Sequence, residues 1–232
     1  MSTGSFDTSP PPGPRPAAVK PRDAATLIVL RHDGPKPRLL MGRRNKGHSF
    51  MPGMWVFPGG KIDRSDYHVP STGHLKPETE RRLRHGLNAS RAKALALSAI
   101  RETFEETGLL IGKTAPTSPR AGPWHEFLSQ GVLPDISGLD MVARAITPPH
   151  LPKRFDARFF LAPAEALYSL EPRPDCGELD EIAWVDLDEA LALELPGITR
   201  FVVRDVAERL VDPDRPALFM RFVGMKSRTS TI

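Results

Sequence analysis

The segment Arg101-Glu102-Thr103-Phe104-Glu105-Glu106-Thr107-Gly108-Leu109 restricts the fold of this chain more than any other. Its three glutamates stand at i, i+3 and i+4, a spacing that gathers them on one side of a helix. At about 100° per residue, Leu97, Ile100 and Phe104 fall on the opposite side. Such a helix packs by its apolar face and presents its carboxylates, and Gly108 stands where a left-handed cap would end it. The acids lie in the last turn, where the negative end of the helix dipole disfavours them. Three carboxylates on so short an arc repel one another unless a cation neutralises them, and hard divalent ions prefer oxygen ligands. A solvated acidic face is the other reading of the same spacing.

These residues match the second half of the Nudix box, G-x5-E-x7-R-E-U-x-E-E-x-G-U with U a bulky apolar residue, and the chain resembles that family. Trp55-Val56-Phe57-Pro58-Gly59-Gly60-Lys61-Ile62-Asp63 looks like the strand and glycine turn that open the box, with Gly60 as its first glycine. The pattern sets that glycine 14 residues before the arginine, whereas 41 positions separate Gly60 from Arg101, an excess of 27. Thr103 stands where a bulkier apolar residue is usual. Counting back from Arg101, the first glutamate of the box falls on Lys93, so that glutamate is left unplaced.

A split box preceded by Phe50-Met51-Pro52-Gly53 and by Leu39-Leu40-Met41-Gly42-Arg43-Arg44, and followed by Leu151-Pro152-Lys153-Arg154-Phe155-Asp156-Ala157-Arg158-Phe159-Phe160, resembles the coenzyme A diphosphatase (Nudix 19-like) branch. The resemblance implies an α/β/α sandwich around a mixed β-sheet. It also implies hydrolysis of a diphosphate with Mg2+ or Mn2+, in coenzyme A or an acyl derivative, giving phosphopantetheine and adenosine 3',5'-bisphosphate. A diphosphate repels an attacking water, so its cleavage needs cations on the oxygens and a base. By the resemblance Glu105 and Glu106 hold the metal, Glu102 is a further ligand or the base, and Arg101 ion-pairs with the glutamates. The carbonyl of Gly59 is implied as another ligand, with Gly60 close to the substrate. Arg43 or Arg44 is the expected partner of a substrate phosphate. Some family members carry the base in a later acidic loop, for which Glu178, Asp180 and Glu181 are candidates here; solvated turn residues are the simpler reading. ADP-ribose, NADH and capped RNA are alternative substrates. A non-catalytic Nudix-fold regulator that senses a nucleotide is the rival from another class, although such modules commonly lose the box glutamates that this chain retains.

The 232 residues, 40% of them hydrophobic, suffice for one domain, read as residues 22–225 with residues 61–89 as the insertion in the box. The 25 prolines imply long loops and a disordered tail at residues 1–21, and residues 226–232 are expected to be a second flexible tail. No stretch has the apolar length of a secretory signal or a membrane span. The single cysteine, Cys176, excludes an internal disulfide framework, and a cytoplasmic protein is expected. A net charge of +4 suits a small phosphorylated partner. The basic clusters at Arg43-Arg44-Lys46 and Arg81-Arg82-Arg84 lack interleaved aromatics, which argues against nucleic acid, and the second reads as a solvated helix face. A homodimer is left open.

Periodicity and turn residues predict strands over 25–31 and 38–43, joined at Asp33-Gly34-Pro35, and a third over 54–57. Helices are predicted over 76–84, 90–107 with Ser90 as N-cap, 123–130, 187–193 and 196–209, where strand propensity at 198–203 competes. Further strands are predicted over 143–146, 155–162 and 181–185.

Overall fold

The computed structural model describes residues 19–47, 51–173, 178–223 and 226–232. Strands β1 (Arg22–Arg31) and β2 (Arg38–Arg44) form the expected hairpin, with Leu30 opposite Leu39. Strand β3 (Trp55–Val56) pairs with β2, and β4 (Gly59–Lys61) folds back onto β1, setting Gly60 opposite Ala25. A 3-10 turn at Arg64–Tyr67 leads to helix α1 (Pro77–Leu83) and the long helix α2 (Ala89–Thr107). Strands β5 (Gly112–Thr114) and β6 (Val132–Pro134) flank α3 (His125–Ser129) and pair as a separate small sheet. There follow β7 (Asp140–Ile146), β8 (Phe155–Pro163), β9 (Leu179–Asp186), α4 (Leu187–Ala192), α5 (Gly197–Arg209), β10 (Leu218–Val223) and β11 (Lys226–Thr231).

The main sheet runs β11-β10-β7-β8-β1-β2-β3, with β4 also on β1 and β9 also on β2. It is mixed, since β1 is parallel to β8 and antiparallel to β2 and β4. Side chains of β1 alternate between two cores, as the two-residue period of a strand requires. Ala25, Leu27 and Val29 join Leu97, Ile100 and Phe104 of α2, while Ile28 and Leu30 join Val202, Val203 and Val206 of α5. Helices therefore cover both faces of the sheet, which is the α/β/α sandwich expected. Leu27 and Ile28 are wholly buried, and each such side chain stabilises the fold by about 1.5–3 kcal/mol relative to exposure. At 198–203 the helix prevails over the strand because Thr199, Val202, Val203 and Val206 share one buried helical face.

Several expectations are corrected. Asn88, not Ser90, caps α2, its side chain accepting the Arg91 N–H at 2.9 Å. Lys226–Thr231 is not a loose tail but strand β11, paired along β10, and the Ile232 N–H donates to the Ala217 carbonyl at 2.9 Å. Its side chains are exposed, so backbone pairing orders it, with Ile232 at its end packed against the core. The Arg81 to Arg84 face is not wholly solvated: Arg82 is largely buried and donates to the Met141 carbonyl at 2.9 Å. Cys176, Phe50 and residues 1–18 lie outside the described residues. No helix among the described residues is long and apolar enough to cross a membrane.

Candidate active site

Helix α2 ends as its sequence requires. Gly108 adopts φ 73°, its N–H donates to the Phe104 carbonyl at 2.7 Å, and a Cβ there would collide with the Arg173 side chain. Thr103, unusual for its position, is buried, and its hydroxyl donates to the Ala99 carbonyl at 2.8 Å, one turn back. The charged face of the same last turns is organised by Arg101, which is only 4% exposed. Its guanidinium grips Asp66 with two hydrogen bonds of 2.8 and 3.0 Å and donates to the Lys61 carbonyl at 2.9 Å. The remaining nitrogen reaches Glu102 at 2.9 Å and Glu105 at 3.0 Å. Asp66 is completely buried and also accepts from the Trp124 indole at 2.9 Å and the Asp63 N–H at 2.7 Å. Burial opposes the charged form of Arg101, but Asp66 and the two glutamates raise its pKa above the ordinary value.

Gly59 and Gly60 meet this helix end directly. The Gly59 N–H donates to Glu106 at 3.0 Å, and an added Cβ on it would lie 2.5 Å from the Ala25 carbonyl. A Cβ on Gly60 would lie 2.3 Å from a Glu102 carboxylate oxygen, so glycine is what lets that carboxylate settle on the β4 backbone. Burial pushes Glu106 up to about 8, with the neighbouring Glu102 adding to it and the Gly59 N–H opposing. Glu102 is pushed up to about 7, again by burial first, against the pull of Arg101. Glu105 is raised by burial and lowered by Arg101, for a net rise. One guanidinium thus faces Asp66, Glu102 and Glu105 together, and negative charge is left uncompensated. That donor set fits a hard divalent cation. Among the described residues, no three His, Cys, Asp or Glu side chains already converge as a metal-holding group. Glu102 and Glu105 are held by Arg101, and Glu106 by the Gly59 amide.

The NUDIX hydrolase of Alicyclobacillus acidocaldarius superposes with a TM-score of 0.61 and 29% identity, covering 82% of this chain and 93% of that one. The chain has the Nudix fold. The protein named "Putative nudix hydrolase 7" of Caenorhabditis elegans is 27% identical over 189 residues, 74% of this chain and 55% of its own length. The chain thus spans about half of that curated relative. No protein-family model matches. Together the two likenesses support the Nudix hydrolase family.

Against the Nudix box, the residue that sequence reasoning missed is Asp66. Counting back from Arg101 reaches Lys93, which is exposed on α2. Counting forward from Gly60 through the five intervening residues of the pattern reaches Asp66, the residue that grips Arg101. The forward count was available in the sequence.

The remaining candidates divide. Glu178 is exposed, and its charge adds a small upward push to the pKa values of Glu105 and Glu106. Glu181 instead pairs with Arg43 at 3.1 Å across β2 and β9, both side chains remaining partly exposed. Arg44 faces the cluster electrostatically and favours the charged form of Glu106. A cavity of about 590 Å3 opens beside Arg101, Glu102 and Glu105.

Proposed function

We propose that this protein is a divalent-metal-dependent diphosphatase, and that coenzyme A or an acyl-coenzyme A is its substrate. The observation that carries the reaction class is the gathering of three glutamates at one helix end beside a cavity: Glu102 and Glu105 on the buried Arg101, Glu106 on the Gly59 amide, and Gly60 against the Glu102 carboxylate. Glu105 and Glu106 would hold Mg2+ or Mn2+, with the Gly59 carbonyl as a further donor and Glu102 as either a further ligand or the base. The bound ion would neutralise the diphosphate and acidify a water molecule. The protein's own part is positional. Arg101, clamped by Asp66, fixes the rotamers of Glu102 and Glu105, and Asp66 stands for the first acid of the box. On that count the 27 excess residues lie between Asp66 and Arg101, later than the 61–89 boundaries suggest. Glu102 and Glu178 are the candidates for taking the proton of the attacking water; Glu102 carries the stronger case, because burial raises its pKa to about 7.

The coenzyme A assignment rests on the sequence flanking the box and on its excess length. The single cysteine supports placing the activity in the reducing cytoplasm. The test is incubation with Mg2+ or Mn2+ and coenzyme A, acyl-coenzyme A, ADP-ribose, NADH or capped RNA, with products resolved by mass. Release of phosphopantetheine and adenosine 3',5'-bisphosphate is the expected result. A preference for ADP-ribose would remove the coenzyme A assignment and leave the reaction class, whereas turnover of none would remove both.

A further inference from the structure

The cavity beside Glu102 and Glu105 has a second wall that the hydrolytic reading does not use, formed in part by Arg22, Lys61 and Tyr67. Pairing of β1 with β4 brings the first two together: Lys61 lies opposite Ala24, and the Ile62 N–H donates to the Asp23 carbonyl at 3.3 Å. Tyr67 closes the 3-10 turn that Asp63 caps and Asp66 fastens to Arg101. The aromatic ring is thereby tied to the same guanidinium that positions the glutamates.

The cations of this cavity are not alike. Arg101 is committed to Asp66, and Arg91 to Asp23. Lys61 and Arg22 have no carboxylate within ion-pairing distance among the described residues. Tyr67 is 40% exposed, and its hydroxyl has no hydrogen-bond partner among the described residues. Two uncommitted cations beside an exposed ring, next to a carboxylate cluster that itself repels anions, form a divided surface. One part suits a metal-neutralised diphosphate, and the other suits a bare anion joined to a flat apolar group.

Resting on the diphosphatase reading, we propose that Lys61 and Arg22 bind a substrate phosphate beyond the diphosphate that is cleaved, and that Tyr67 stacks on the substrate's heteroaromatic base. The substrate class is then a nucleotide with an additional phosphate monoester, of which the 3'-phosphate of coenzyme A is an instance.

The test compares kcat/KM for coenzyme A and for 3'-dephospho-coenzyme A with Mg2+, alongside calorimetric binding of adenosine 3',5'-bisphosphate and AMP. Wild type should favour the compound with the extra phosphate about tenfold or more in both measurements, the size expected of charge-assisted contacts. In a Lys61→Met, Arg22→Gln double variant the ratio should fall to about one, and Lys61→Arg should keep most of it. Tyr67→Leu should raise KM about tenfold for both compounds with kcat little changed, and Tyr67→Phe, which retains the ring, should restore the wild-type KM. Equal use of the two compounds by wild type, or a ratio unchanged in the double variant, would overturn the proposal. If wild type cleaves no diphosphate, the hydrolase reading fails, while calorimetry still decides the phosphate site: a preference for the bisphosphate that the double variant loses upholds it, and no preference overturns it.

Discussion

Arg101 and Lys61 face one cavity and carry the same charge, yet their surroundings are opposite. Arg101 is buried and fully engaged by Asp66, Glu102, Glu105 and a backbone carbonyl. Lys61 is exposed, and only its backbone is engaged: its carbonyl accepts from Arg101 and Ser98. A buried guanidinium that spends every donor on the protein organises the site; an exposed ammonium with nothing to hold is available to a ligand. The inner half of the cavity is thus built to position acids, and the outer half to receive anions.

The sharpest way to break this contrast is to remove the buried partner. Asp66→Ala should destabilise the fold by about 3–5 kcal/mol, because it removes the buried partner of two Arg101 donors and of the Trp124 indole and leaves those donors unsatisfied; denaturant unfolding measures it. Lys61→Met should change unfolding by less than about 0.5 kcal/mol, as surface substitutions do. Equal effects would erase the distinction between the two cations. Glu106→Gln keeps the shape of the helix end and removes a carboxylate that could ionise onto the metal, so hydrolysis should fall about a hundredfold or more with the fold retained, as steady-state kinetics and circular dichroism would show.

Proton linkage sharpens the picture of the inner half. Glu106 moves from an ordinary 4.5 to about 8, so its proton is held more tightly in the folded chain. Its contribution to stability is fully present below about pH 4.5 and is lost as the pH rises through about 8. Metal-free protein should therefore lose stability across that window. Added Mg2+ at a hundredfold excess over its Kd should return about 2–3 kcal/mol, with the larger effect at pH 8. Melting curves with Mg2+ and with a chelator at pH 5 and pH 8 check this. A milder effect on activity is expected of Gly60→Ala, whose methyl group displaces the Glu102 carboxylate and should lower kcat/KM about tenfold without unfolding the protein.

The two halves also differ in how well the sequence displays them. Helix α2, its Gly108 cap, the glutamates and the pairing of Arg101 with Glu105 follow from local spacing, and local spacing is what a single sequence shows. Strand β1 was legible because both its faces are apolar. Asp66 was missed because the box is split, and a count anchored at Arg101 runs through inserted residues whereas a count anchored at Gly60 does not. Strand β11 was missed because its side chains are polar and exposed, so that only its pairing with β10 defines it. The roles of Lys61 and Arg22 depend on which carboxylates lie near them in space, and no spacing along the chain reports that.

The central claim is that the glutamates around Arg101 act through a divalent ion on a diphosphate. The most direct test is the initial rate of coenzyme A and ADP-ribose cleavage by wild type and by Glu105→Gln, each with Mg2+ and with chelator. The account predicts cleavage of at least one compound by wild type with Mg2+, its loss on chelation, and a rate lowered about a hundredfold in the variant. Cleavage that survives both chelation and the substitution would contradict it.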